Sequence, residues 1–515
     1  MPILYIPNDP EARKVPKPRA VTPSRKRPDG RADFSFGALP KPQVWPPDGD
    51  EFLRWQCREA LLRATAMWET IAGPLKRWQH GAKLRVDADI GEELNAYYDR
   101  ESLAYARRTS AKTGRVRRFA ASTDVVAHEA GHAFLDAIRP ELWDSNLPEP
   151  NAFHEAFGDC VAILTALHDR DLRRALVKSD ATLAHANFAE TLMESLANGI
   201  RDELPGHNAA KPRRGRNRLR WTFFTTLPPD GGPGELIADA HSFGQVFVGC
   251  FYDTVRNVFL LQRRRDEAAL WNAARIAGAL LVRAARKAPH GARFFQGIGR
   301  AMTLEDDATN GGRHHEAIRL AFQAHGILLG SVAALAPRAM LRGPAPKSAV
   351  DTGHAAMSRA TLDDLRARLQ LPASAALRLR SFDLGGRAVT EACHERRVSL
   401  AGLSEKLHDV VAMGVEPTLV GAENRRAAVL GAMPDPQMTE DEVRAFVRGL
   451  VARNQIAYDA PAQRAAARRS TRRGRGAVMC ADAAPTHAVV RDHGQAVLKR
   501  VRYACGCCAR PAAND

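Results

Sequence analysis

The sequence predicts an α+β protein: a mostly helical domain with a short β-containing N-terminal lobe, followed by a smaller α+β module. Three observations carry that reading. At 515 residues the chain exceeds the ~100–200 residues of one ordinary domain, and its 45% apolar content is that of a globular protein. From about residue 50 to 330, apolar residues recur every three or four positions, the period of helices buried on one face. Beyond residue 353 the pattern changes to short alternating segments with Gly-containing turns, the period of strands and hairpins.

The elements follow in order. Residues 1–48 are rich in Pro, Lys and Arg without a sustained apolar period, which predicts an extended arm with the first folded element after it. Leu53, Cys57, Leu61, Ala64, Trp68 and Ile71 then mark an amphipathic helix that stops near Gly73-Pro74. A strand-like passage, AKLRVDADIGEELNAYYDRESLAYARR, leads to two long helical patterns at about 123–138 and 151–168. A mixed region contains the basic run KPRRGRNRLR (211–220), which looks like a solvated loop or flap, and helical patterns resume at about 242–258, 266–287, 291–302 and 314–327. Three Pro and two Gly make 336–353 the linker, so the helical domain spans 49–335. The α+β module, 354–510, contains two hairpin patterns, ALRLRSFDLGGRAVTEA and THAVVRDHGQAVLKRVRYA, with one helix, TEDEVRAFVRGLVARN, between them.

Charge and cysteine content bound the setting. With 75 Lys and Arg against 58 Asp and Glu, the net charge of +17 favours contact with nucleic acid, an anionic membrane or an acidic partner. The runs 211–220 and 464–475 have no interleaved aromatics, so they suit phosphate contact and not base stacking; a solvated basic surface is the plainer reading. Eight Cys is too few for a disulfide-stapled module, and the first residues show no secretory signal. A reducing, cytoplasmic location is expected, with export by a non-classical route left open. The longest nearly apolar stretch, 326–336, has 11 residues against the roughly 20 of a spanning helix, so no transmembrane helix is expected. Cys480, Cys505, Cys507 and Cys508 could bind a second metal, but CGCC lacks the paired spacing of a structural zinc site, and free or redox-active thiols are the expected reading.

The chemistry lies in DVVAHEAGHAF. His128 and His132, four residues apart on a helix, project from one face and can reach one zinc ion, while Glu129 can reach a water on that metal. A catalytic zinc takes a third protein ligand and keeps an open position. Glu155, 23 residues past His132 in NAFHEAFGDCVAIL, can supply the ligand. Asp159, one turn further on, can accept the far ring N–H of a ligand His and fix its tautomer. The alternative places both His on a helix surface or in a hydrogen-bonded core, with the carboxylates as a solvated charge pattern.

These strings resemble the thermolysin-like zinc metalloproteases, a gluzincin family: DVVAHE resembles its active helix and HEAFGD its second, ligand-bearing helix. The resemblance spans about residues 90–330, in the family's order. It implies one Zn2+ per chain on His128, His132 and Glu155, with Asp159 behind them. In NAYYDRESLAY it implies an edge strand whose Asn95 and Ala96 hold substrate backbone. DAHSFGQVFVGCFYD resembles the segment of the second catalytic His, here His241, oriented by Asp239. Arg201 in NGIRDELPG stands for the substrate-binding Arg, and Trp143 occupies the place of a Tyr hydroxyl, offering an indole N–H instead. His154 and Gly158 replace an Asn and a Ser of the family pattern. No run of carboxylates follows the zinc helices, so no calcium is expected.

The function so implied is hydrolysis of peptide bonds in a peptide or protein substrate, with Glu129 as general base and His241 as oxyanion donor. The competing expectation is a proteolytically inactive zinc-fold adaptor that uses its basic arm and loops to contact nucleic acid or an anionic envelope.

Overall fold

The zinc-motif segment forms a helix because Ser122 sets its start: the Ser122 hydroxyl accepts the Val125 N–H, capping Thr123–Ile138. Proline at the first turn opens the next helix, Pro148–His168, where its missing N–H costs nothing. The computed structural model describes residues 1–28, 30–330, 359–384, 388–423, 426–429, 435–458 and 485–506. The predicted linker 336–353, the basic run 464–475, and Cys480, Cys507 and Cys508 lie outside the described residues.

The two helices cross closely because Gly131 faces Gly158: a Cβ on Gly131 would stand 2.7 Å from the Gly158 Cα, so neither side chain holds the helices apart. Around them pack Asp50–Ala72, Ala240–Leu260, Glu267–Lys287, Phe294–Asn310 and His315–Ala324. Aromatic contacts fill the seams, with Trp68 stacked on Phe134 at 4.6 Å between centroids. The helix Ala240–Leu260 is capped by Asp239, whose carboxylate accepts the His241 and Ser242 N–H groups.

A five-stranded sheet flanks the helices on the N-terminal side, in the order Tyr503–Ala504, Ala96–Tyr98, Ser102–Tyr105, Lys83–Asp87, Asp33–Ser35. Its last member corrects a sequence expectation. Residues 1–48 are not a free arm: Ile3–Tyr5 pairs with Arg19–Val21, Asp33–Ser35 joins the sheet, and Ile3, Tyr5, Asn8 and Asp9 are buried. Three-residue strands are too short for any apolar period to register, so the composition alone looked unstructured. The arm's charges are also used internally, Arg19 pairing with Asp169 and Arg27 and Arg31 with Glu69.

The C-terminal sheet runs Leu377–Asp383, Ala388–Ser399, Val410–Glu423, Gln495–Arg500, His487–Asp492, Ile456–Ala457, with Arg426–Val429 pairing beside Val410–Glu423. Both predicted hairpins are present, Leu377–Asp383 with Ala388–Ser399 and His487–Asp492 with Gln495–Arg500, and the predicted helix is Pro436–Ala452. One buried core contains residues of both parts, from Tyr5 to Leu498 and Tyr503. The molecule is a mixed α+β protein. Among the described residues no helix is long and apolar enough to cross a membrane.

Candidate metal centre

Thr123–Ile138 and Pro148–His168 bring His128, His132 and Glu155 together, all three buried. His128 Nε2 lies 3.0 Å from His132 Nε2 and 3.4 Å from Glu155 Oε2, and His132 Nε2 lies 3.6 Å from Glu155 Oε2. Donors about 2.0–2.1 Å from one zinc in a tetrahedron stand about 3.3 Å apart, so the three atoms have the spacing of shared ligands. Among the described residues both Glu129 carboxylate oxygens are buried without a hydrogen bond, and Glu155 Oε2 and His241 Nε2, though 3.1 Å apart, make no well-aligned one. Leaving such groups unpaired is costly, and a cation with its bound ligand satisfies them together. The residues fit a zinc ion.

The next layer orients them. Asp159 Oδ1 accepts from His128 Nδ1 at 2.8 Å, which turns the Nε2 lone pair inward. His132 Nδ1 meets His154 Nδ1 at 2.9 Å, so His154 performs for His132 what Asp159 performs for His128. Burial holds both His132 and His154 well below the usual imidazole range, which keeps them neutral. Burial, together with the neighbouring Cys505 and Glu155, pushes Glu129 well above the carboxylate range. His241 reaches the group from its capped helix, with Nε2 3.1 Å from Glu155 Oε2 and Nδ1 3.4 Å from Asp239 Oδ1. Burial alone would lower its pKa; the carboxylates of Glu155 and Asp239 outweigh that and raise it well above the usual value.

Arg201 stands elsewhere. Its side chain is exposed and bonded to Asn198 Oδ1, and it touches none of the centre. The guanidinium that reaches the site is Arg213, donating to both Asp159 oxygens at 3.0 and 2.9 Å. This corrects the reading of 211–220 as a solvated run at two positions, since Arg213–Arg214 pairs with Thr191–Leu192 and Arg214 bonds Glu190, while Lys211, Arg218 and Arg220 are exposed. No fixed spacing links Arg213 to the zinc motif, so nothing in the sequence singled it out.

Cys505 is the larger surprise. Its Sγ and one donor atom each of His128, His132 and Glu155 all lie within 4.8 Å of one another. The strand Tyr503–Ala504 brings it there by pairing antiparallel with Ala96–Tyr98, and the Cys505 N–H donates to the Ala96 carbonyl at 2.9 Å. Asn95 Oδ1 accepts the Gly506 N–H at 2.9 Å. Both positions expected to hold substrate backbone therefore hold this segment. The Trp143 indole donates to the Arg500 carbonyl at 3.2 Å and packs edge-on against Tyr503. Beside Cys505 and His241 a cavity of about 480 Å³ opens, lined by Leu192, Ile200, His207 and Ile237 among others, large enough for an apolar side chain.

A second buried group, Asp9, Asp124 and Glu194, comes from three separate stretches of chain, which is why no carboxylate run announced it. Burial raises all three above the carboxylate range, and for Asp124 and Glu194 the neighbouring carboxylates add to the shift. The folded state thus keeps protons that the unfolded chain releases above about pH 4, so stability from this group is full below that pH and lost as pH rises. In a chelating buffer, Glu194→Gln is expected to gain stability over the parent as pH rises from about 5 to about 8. Parallel melting curves for the two proteins across that range would refute the linkage.

The fold and site define an α+β protein with a buried centre of two His, a carboxylate and a thiol, two of its ligands in an HExxH helix. A scan against protein-family models returns no match, and a search of curated proteins returns none either.

Proposed function

We propose that the chain is a zinc-dependent endopeptidase with a thermolysin-like catalytic domain, the zinc held by His128, His132 and Glu155. The observation that carries this reading is the unpartnered, buried Glu129 carboxylate beside a three-donor set of zinc spacing. When bound, the metal acidifies a water and polarises the scissile carbonyl. Glu129 takes the proton from the attacking water and hands it to the leaving amine nitrogen. His241, held by Asp239, donates to the carbonyl oxygen as negative charge develops there. Once Tyr503–Gly506 has left it, the Ala96–Tyr98 edge together with Asn95 binds the substrate as an added strand. Asp159, Arg213 and His154 hold the two imidazoles in the tautomers that leave Nε2 free.

One observation favours the second reading, an inactive zinc-fold adaptor: the chain's own segment fills the edge strand. Against it stand Glu129, His241 and Asp239, which a purely structural zinc site does not require. Arg19, Arg27, Arg31, Arg213 and Arg214, from the arm and the 211–220 run, are ion-paired within the chain and so are not free for an anionic partner.

The test uses the full chain and Cys505→Ser on an unfolded protein substrate, with new N-termini read by mass spectrometry. One zinc per chain is expected, together with cleavage that chelation abolishes and zinc restores. Absence of cleavage by either protein at full zinc loading would overturn the peptidase reading, and salt-sensitive polyanion binding in its place would support the adaptor.

A further inference from the structure

We infer that Arg502–Gly506 is a built-in inhibitor of this centre, with the Cys505 thiolate as the fourth ligand of the metal. The inference rests on the zinc reading above and adds a state of the site that the His2Glu motif does not contain. A catalytic zinc has three protein ligands and an open position, whereas a site with four protein ligands is closed. Cys505 Sγ, gathered with His128, His132 and Glu155, makes that fourth donor, and zinc binds thiolate readily.

The backbone geometry is independent of the metal and points the same way. Tyr503–Ala504 extends the sheet at the strand edge where a peptide substrate is expected, with Tyr503 opposite Tyr98 and Ala504 opposite Tyr97. Side chains on both sides fix the register. Tyr503 stacks on His154 at 3.8 Å and on His132 at 4.8 Å between centroids. Arg500 packs over the Tyr503 ring and bonds Asn151, and Arg213 Nη2 stands 3.7 Å from Cys505 Sγ. Gly506 passes so close to the cleft wall that a Cβ there would fall 1.9 Å from the Leu94 carbonyl oxygen and 2.6 Å from Asn95 Oδ1. Only glycine allows the approach.

The accessory sheet delivers the segment. Gln495–Arg500 is a strand of that sheet, and two residues separate it from Tyr503. The C-terminal module therefore acts as the frame that presents the inhibitor, and the centre opens when the segment leaves the edge strand.

The experiment compares the full chain with Cys505→Ser and Gly506→Ala, each carrying cobalt(II) in place of zinc for spectroscopy and zinc for binding. The cobalt form of the parent is expected to show a near-ultraviolet thiolate-to-metal charge-transfer band that Cys505→Ser lacks and Gly506→Ala weakens. A small hydroxamate, which needs the open metal position, is expected to bind both variants about 10- to 1,000-fold more tightly than the parent, the range for an open state populated at about 0.1–10%. Peptide cleavage should rise by a similar factor. A parent without the band, or equal hydroxamate affinity in all three proteins, overturns the inhibitor. The band and the affinity gain without cleavage in any protein would uphold the inhibitor and overturn only the peptidase reading.

Discussion

Glu129→Gln is expected to keep its zinc and to lose peptide cleavage by about three orders of magnitude, within the 10²–10⁴ range of a positioned general base. Both carboxylate oxygens of Glu129 are buried and make no geometric hydrogen bond among the described residues, so the amide replaces the carboxylate without breaking one. The amide matches the carboxylate in shape but cannot accept the water's proton, so the loss should fall on kcat, equivalent to about 4 kcal/mol of activation free energy. The measurement is made with Cys505→Ser in both proteins, with metal content determined by elemental mass spectrometry. A variant that retains more than about a tenth of the parent rate would fall outside that range and remove Glu129 from the mechanism.

Arg213→Met is expected to cost about 3–5 kcal/mol of stability, because it leaves the Asp159 carboxylate buried without its cation. Zinc affinity should fall about 10- to 100-fold as well, since Asp159 orients His128 and loses its own support. Arg213→Lys should recover part of the stability but not all of it, because one ammonium cannot reproduce the two-point contact with both Asp159 oxygens. Adding Asp159→Asn to Arg213→Met should return some stability while zinc affinity stays low. Chemical denaturation and competitive zinc titration read the two quantities separately. Parent-like values for both in Arg213→Met would show that the pair does not support the centre.

How much of this was legible depended on the range of the signal. His128, Glu129, His132, Glu155 and Asp159 lie on two helices close in sequence, and the 3.6-residue period converts their spacing directly into a shared face. His241 and Asp239 sit more than 70 residues downstream of Asp159 and were expected only through family resemblance; the capped helix Ala240–Leu260 carries them to the centre. Arg201, expected in a substrate-binding place, is exposed and bonded to Asn198, while Arg213 reaches Asp159; a local string cannot indicate which of several guanidiniums a loop turns inward. Trp143, expected in a substrate-binding place, is in contact with Tyr503 and the Arg500 carbonyl. Both contacts depend on a segment more than 350 residues away.

By itself the sequence determined the run of helices, the hairpins of the C-terminal sheet and the shared face of His128, His132, Glu155 and Asp159, because each depends on periodicity or spacing within one or two elements. Tertiary structure alone decided that Asp33–Ser35 completes the N-terminal sheet, that Asp9, Asp124 and Glu194 form one buried group, and that Cys505 stands beside His128, His132 and Glu155. The reason is physical: strand pairing and ligand convergence join residues through backbone hydrogen bonds and packing between distant segments. No local pattern of side chains encodes which edge a strand will take. The cysteine that looked like a free thiol in a tail is thereby placed at the centre of the site.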